Sequence, residues 1–207
     1  MRNLPPGRTA RLWLQHRLAT AGRGIEVLEQ ETHLLTGEER RLSQLEQDSA
    51  RRWEEASREA DRWLVRSVLA GGQQQLQLAR AELDEPATAR ISWRTTMGVT
   101  YPSETASSFP EPDGLGSIAR SGAVVMAAAA HRRAVEAALD QAAATRALAL
   151  VRQELDTTRM RLRALENRWV PQLEQTLHQV ERDLAEQERE DMVRTRWVAE
   201  RREGDRR

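Results

Sequence analysis

The 207-residue sequence predicts an all-α protein, a long antiparallel two-helix coiled coil (a helical hairpin) with a small irregular tip containing a short β-hairpin. Three observations predict it. Apolar residues recur at alternating steps of three and four through two long stretches. Proline and glycine, which break helices, gather between those stretches. Charged residues make up 31% of the chain and aromatic residues 4%, with one Phe and one Tyr, a composition that suits long helices better than a round core. The expected division is a long helix within 1–83, a central tip at 84–121 and a second long helix within 122–207, all in one elongated domain.

The first stretch, from about Arg8, has no proline. Leu14, Leu18, Ala21, Ile25, Leu28, Thr32, Leu35, Glu39, Leu42, Glu46, Ser49, Trp53, Ala56, Ala60 and Trp63 form a heptad seam for one partner helix. Glu39 and Glu46 interrupt it, and Leu45 offers a local shift. Gly22-Arg23-Gly24 reads as a place of close packing, and Gly71-Gly72 predicts a bend or a frayed end.

The central segment holds Pro86, Pro102, Pro110 and Pro112 with Gly98, Gly114 and Gly116. Ala89 to Arg94 reads as a strand, and Met97 to Pro102 as a turn and a second strand with Gly98 at the bend.

The last stretch carries a looser seam: Leu148, Leu155, Thr158, Leu162, Leu165, Trp169, Thr176 and Val180. Leu173, Leu177 and Leu184 drift to a neighbouring stripe beyond Pro171, whose missing N–H predicts a kink that rotates the seam. Neither helix, each on the order of 110 Å at 1.5 Å per residue, buries its stripe alone, so the chain folds back on itself. The expected register places Trp13 near Trp197 and Trp53 near Thr157. Trp53, Trp63 and Trp169 read as core residues, while Trp13 and Trp197 either pack on each other or anchor a partner.

Chemistry is hard to find. The formal net charge is zero, with 32 basic and 32 acidic residues, which argues against nucleic acid or an anionic membrane as main partner. Every basic residue is Arg, and there is no Cys for disulfide, thiolate or zinc chemistry. No apolar run reaches the roughly 20 residues of a membrane span, and the first residues lack a signal-peptide core. His16, His33, His131 and His178 lack metal-ligand spacing. Gly114 to Gly122 faintly resembles a phosphate loop but lacks the Gly-Lys-Ser/Thr ending, so it reads as a connector. Glu186, Glu188, Glu190 and Asp191 alternate with Arg182, Arg189 and Arg194 as a solvated or partner-facing surface. No catalytic, cofactor or metal residue is expected.

Four segments resemble one family, in order. Thr158 to Glu166, then Val170-Pro171-Gln172-Leu173 through Leu177, Val180-Glu181 and Leu184 to Glu190 are similar to the C-terminal helix of the D-subunit family of V-type/A-type ATPases (ATP synthases). Leu148 to Leu155 leads into that motif. Arg8 to Leu18, with Ala21, Gly24 and Leu28, resembles its N-terminal helix, and Met97-Gly98-Val99-Thr100-Tyr101-Pro102 its central hairpin. The resemblance implies a non-catalytic rotor shaft in the central stalk of a proton- or sodium-translocating rotary ATPase, cytoplasmic and peripheral to the membrane. The implied partners are the catalytic A and B subunits, the F subunit of the stalk and the funnel subunit (C/d) on the rotor ring. It places both termini in the head, with Arg8, Arg11, Arg189, Arg194, Arg196 and Trp197 facing it, and Met97, Gly98, Val99 and Pro102 in the tip hairpin. Glu29, Glu31 and Thr32 stand where the family usually has a basic cluster, and Arg163 where it has Asn, so family contacts there do not transfer. The competing reading is a stand-alone coiled-coil adaptor or scaffold, such as the flagellar-export hairpins, which lack the Met97 to Pro102 motif. The γ rotor of F-type ATPases needs a larger central domain than 84–121 provides.

Overall fold

The computed structural model describes residues 7–81, 86–110 and 122–204. Helix α1 spans Arg8–Ala81, strand β1 Thr88–Thr96, strand β2 Val99–Ser108, helix α2 Gly122–Ala164 and helix α3 Val170–Gly204. A π-helical turn, Leu165–Trp169, carries α2 into α3. The fold class is the expected one, two long antiparallel helices with a two-stranded sheet in the segment between them. Gly71-Gly72 neither ends nor interrupts α1, which continues to Ala81. Each Gly costs only about 1 kcal/mol of helix propensity, and good helix formers follow.

The chain packs as two units, Met1–Thr32 with Thr157–Arg207, and His33–Asp156. In the His33–Asp156 unit, Leu35 and Leu42 from α1 pack with Ala147, Leu148, Val151 and Leu155 from α2 and with Tyr101 from β2. The seam runs true through its two acidic positions. Arg152 donates to Glu39 at 2.9 Å, and Gln141 donates to Glu46 at 3.0 Å. Ser49, 1% exposed, donates to Gln141 Oε1 at 2.6 Å. Leu45 stays exposed, so the seam does not shift towards it.

These cross-helix bonds correct the expected register. Ser49 faces Gln141, so Trp53, a turn further on, is level with the turn around Ala137 and not with Thr157. Trp53 is 45% exposed and is not a core residue. Trp63 is half-buried and donates its indole N–H to Glu59. Gln141 bridges Glu46 and Ser49, so Gln141→Ala takes this donor from the Glu46 carboxylate and leaves Ser49 with the Glu46 carbonyl as acceptor. It is expected to cost about 1–3 kcal/mol, read as a lower midpoint in denaturant unfolding of the intact chain, with Thr145→Ala nearer neutral.

In the other unit, Ala10, Leu14, Thr158 and Leu173 are buried. Arg8 pairs with Glu188 at 3.0 Å. A Cβ on Gly24 meets Leu165 at 3.9 Å, ordinary contact, and one on Gly22 meets nothing within 4 Å. Close packing therefore does not require either glycine. Trp197 lies beyond Glu188 and Trp13 inward of Arg8, which separates them axially by about 20 Å at 1.5 Å per residue. The expected register, which placed Trp13 near Trp197, is wrong; Arg17 lies over the Trp13 ring instead, and its guanidinium also lies over Trp169. Trp169 is also out of the core, at 45% exposure. The seam does move to Leu173 beyond Pro171, and that residue is 1% exposed. The device is the π turn, in which the Val170 N–H reaches Leu165 O and the extra residue advances the helical phase.

Candidate functional site

Among the described residues the β-hairpin is the one element that is not a helix, and the sequence around its turn explains its shape. Met97 and Gly98 both have positive φ, +48° and +79°. That sign pattern belongs to the type I′ turn, whose twist matches the flanking strands. Gly98 takes it freely, while Met97 is an uncommon side chain there. The strands are longer than the sequence signals. Thr96 pairs with Val99, and pairing continues to Thr88 with Ser108. Ser92 faces Glu104 but Trp93 faces Pro102, so Ser103 is bulged out. Pro102 lacks an N–H and sits where the ladder is already broken.

Strand β2 attaches the hairpin to both helices of its unit. Tyr101, 1% exposed, donates to Glu38 Oε1 on α1 at 2.5 Å. Thr105 donates to Asp140 on α2 at 2.5 Å, and Ser107 reaches Glu136 at 3.5 Å. Arg132 donates to the Pro110 carbonyl at 3.0 Å, with its guanidinium 5.8 Å from the Phe109 ring. The hairpin thus lies along the helices, and β2 climbs α2 towards its N-terminal end. Strand β1 is exposed along nearly its whole length.

Of the hairpin residues expected to matter, Val99 packs on the core cluster and Pro102 is buried. Met97 is exposed. The sequence reading missed Tyr101, Glu38 and Arg41. Arg41 holds Glu38 through two hydrogen bonds, at 2.7 and 3.0 Å. The signal available was the chain's single Tyr placed one residue before the strand proline. The Arg41 hydrogen bonds pull the Glu38 carboxyl below its ordinary value of 4.5; partial burial opposes this, and the Tyr101 hydroxyl and the Arg94 charge assist it. A depressed carboxylate stabilises the fold above its unfolded value and loses that contribution as pH falls through the folded one. Hairpin docking is therefore expected to weaken below pH 4.5, seen as loss of the Tyr101 near-UV signal, and to lose this acid step in Glu38→Gln.

The second expected group lies near the chain termini, and the structure does not gather it into one cluster. Arg8 is spent on Glu188 across the helix pair. Arg189 pairs with Glu186 and Arg194 with Asp191, each within its own helix. Arg11 is exposed, as is Arg196, and Trp197 is 65% exposed with the Arg201 guanidinium 5.9 Å from its ring. Among the described residues, no group of three or more His, Cys, Asp and Glu side chains is placed to hold a metal. None of their helices is long and apolar enough to cross a membrane. The segment resembling a phosphate loop lies outside the described residues up to Gly122, where α2 begins.

A family profile described as the D subunit of ATP synthase matches residues 11–200. The chain belongs to that family. Its members are stalk subunits of rotary ATPases, and the paired helices and central hairpin described above are this chain's version of the D subunit. The chain is also similar to the D subunit of the A-type ATP synthase of Methanopyrus kandleri, 28% identical over 206 residues that cover 96% of this chain and 86% of that relative.

Proposed function

We propose that this D-family protein is the central-stalk rotor shaft of a V/A-type rotary ATPase and carries torque between the catalytic A/B head and the membrane ion-translocating ring. Torque transfer needs resistance to sliding and bending. The observation that carries the reading is the set of cross-helix pins, Glu39 with Arg152 and Glu46 and Ser49 with Gln141, set into a continuous apolar seam. Each bond fixes register at one level, which an unbroken leucine seam alone does poorly.

The outer surface fits the same role. Its ion pairs are mostly within one helix, as in Arg51 with Asp48 and Arg189 with Glu186. A mixed-sign surface lets a turning shaft meet several partner faces without locking to one. On this reading Arg8, Arg11, Arg189, Arg194, Arg196 and Trp197 face the head. The hairpin around Met97, Gly98, Val99 and Pro102 serves the F subunit and the funnel subunit. The shaft itself performs no chemistry, and it works on the cytoplasmic side, peripheral to the membrane. Mild purification from source membranes followed by native mass spectrometry tests this. Recovery with A, B and F subunits is expected, and recovery without any head subunit overturns the proposal in favour of a stand-alone adaptor.

A further inference from the structure

Arg17 is held between two half-exposed tryptophans. Its guanidinium carbon lies 5.0 Å from the Trp13 ring centre and 5.9 Å from that of Trp169. Trp13 sits one turn earlier on α1, so the two side chains share a face. Trp169 arrives from the π turn, whose extra residue swings it from the seam to 45% exposure, while Trp13 is 37% exposed. Among the described residues, no carboxylate pairs with Arg17, whereas Arg8 on the same helix pairs with Glu188.

We propose that Trp13, Arg17 and Trp169 form a docking site for an aspartate or glutamate side chain of a neighbouring subunit in the assembly. A guanidinium set over ring faces holds its planar fork of donors in one orientation. A carboxylate is the group that fits that fork with two parallel hydrogen bonds. Arg and Trp are also the side chains most enriched among residues that dominate interface affinity. The zero net charge of the chain disfavours a polyanion as the occupant and leaves a single acidic side chain as the match. The site rests on the rotor reading above, because it needs a partner that surrounds this level of the shaft.

The test is titration of the full-length chain into the ATPase complex prepared without this subunit. Arg17→Met keeps the aliphatic stem and helix propensity but removes the charge and donors. It is expected to bind on the order of 10- to 100-fold more weakly, with a flatter salt dependence and an unchanged circular-dichroism melt. Arg17→Lys keeps the charge without the fork and is expected to fall between. Arg17→Gln gives a second uncharged variant should Arg17→Met lose helix content. Binding of a folded uncharged variant within twofold of the unsubstituted chain overturns the site and leaves the rotor reading intact. So does self-association of the unsubstituted chain that Arg17→Met abolishes, since the occupant is then a second copy. Failure of the unsubstituted chain to join the complex overturns both.

Discussion

Tyr101→Ala is expected to detach the β-hairpin from the helices and to give the largest stability loss of any single change among the described residues of the central segment. The ring is 1% exposed and packs among Leu35, Leu42, Leu148, Val151 and Leu155. Removing an aromatic side chain from such a place costs about 3–5 kcal/mol. The hydroxyl adds its own share, since it donates to Glu38 at 2.5 Å and lies 3.1 Å from Thr96 Oγ1. A two-stranded hairpin is marginal in water without a surface to pack on. The loss should therefore appear as local release, with α1 and α2 still paired. Hydrogen–deuterium exchange of the β1 and β2 amides is expected to rise towards the rate of exposed peptide, while the amides near Leu42 stay protected. Tyr101→Phe separates the two parts. It keeps the ring, and Glu38 retains both bonds from Arg41, so about 1–2 kcal/mol is expected. Unchanged strand protection in Tyr101→Ala would show that Thr105, Ser107 and Arg132 hold the hairpin unaided.

The contrast between what the sequence revealed and what it hid follows from physics at particular residues. The heptad spacing placed Leu14, Leu35, Leu42, Ser49, Leu148 and Leu155 in the seam, and all are buried. The spacing could not supply register, because sliding one helix by a heptad restores the same apolar pattern. Register is chosen by long-range polar pairs, and the acidic positions that interrupt the seam, Glu39 and Glu46, are the ones that take partners across it. Trp169 was misplaced because a heptad count assumes a constant residues-per-turn, and the π turn adds a residue just before Pro171. The turn at Gly98 was legible from local chemistry. The docking of β2 was not, since Tyr101 meets Glu38 across 63 residues of chain and neither side chain signals the other locally. For the terminal residues, the charge was legible but its use was not. Arg8, Arg189 and Arg194 already have intramolecular partners, while Arg17, which pairs with no carboxylate among the described residues, lies off the seam and leaves no mark in the heptad pattern.

Ending the chain after Glu190 is expected to have the opposite profile, little effect on stability and a large effect on the assembled motor. Every residue from Ala185 to Trp197 is exposed, with Met192, Val193 and Trp197 at 65%, 66% and 65%. Surface helix of this kind contributes within about 0.5 kcal/mol per residue change, so the thermal melt of the truncated chain should stay close to that of the full one. The helix is rich in Arg and acidic residues, paired locally as Arg189 with Glu186 and Arg194 with Asp191. Among the described residues, Met192, Val193 and Trp197 stay largely uncovered, Trp197 meeting the Arg201 guanidinium at 5.9 Å. If the shaft reading holds, they bear on the head, and their removal lowers ATP turnover or separates it from ion transport in vesicles holding the whole complex. The deciding measurement is the ratio of ion flux to ATP hydrolysis, because a merely loosened complex lowers both together. Turnover and ratio equal to those of the full-length chain would show that this end does not act inside the head, and would move the torque contacts to the Trp13, Arg17 and Trp169 level of the shaft.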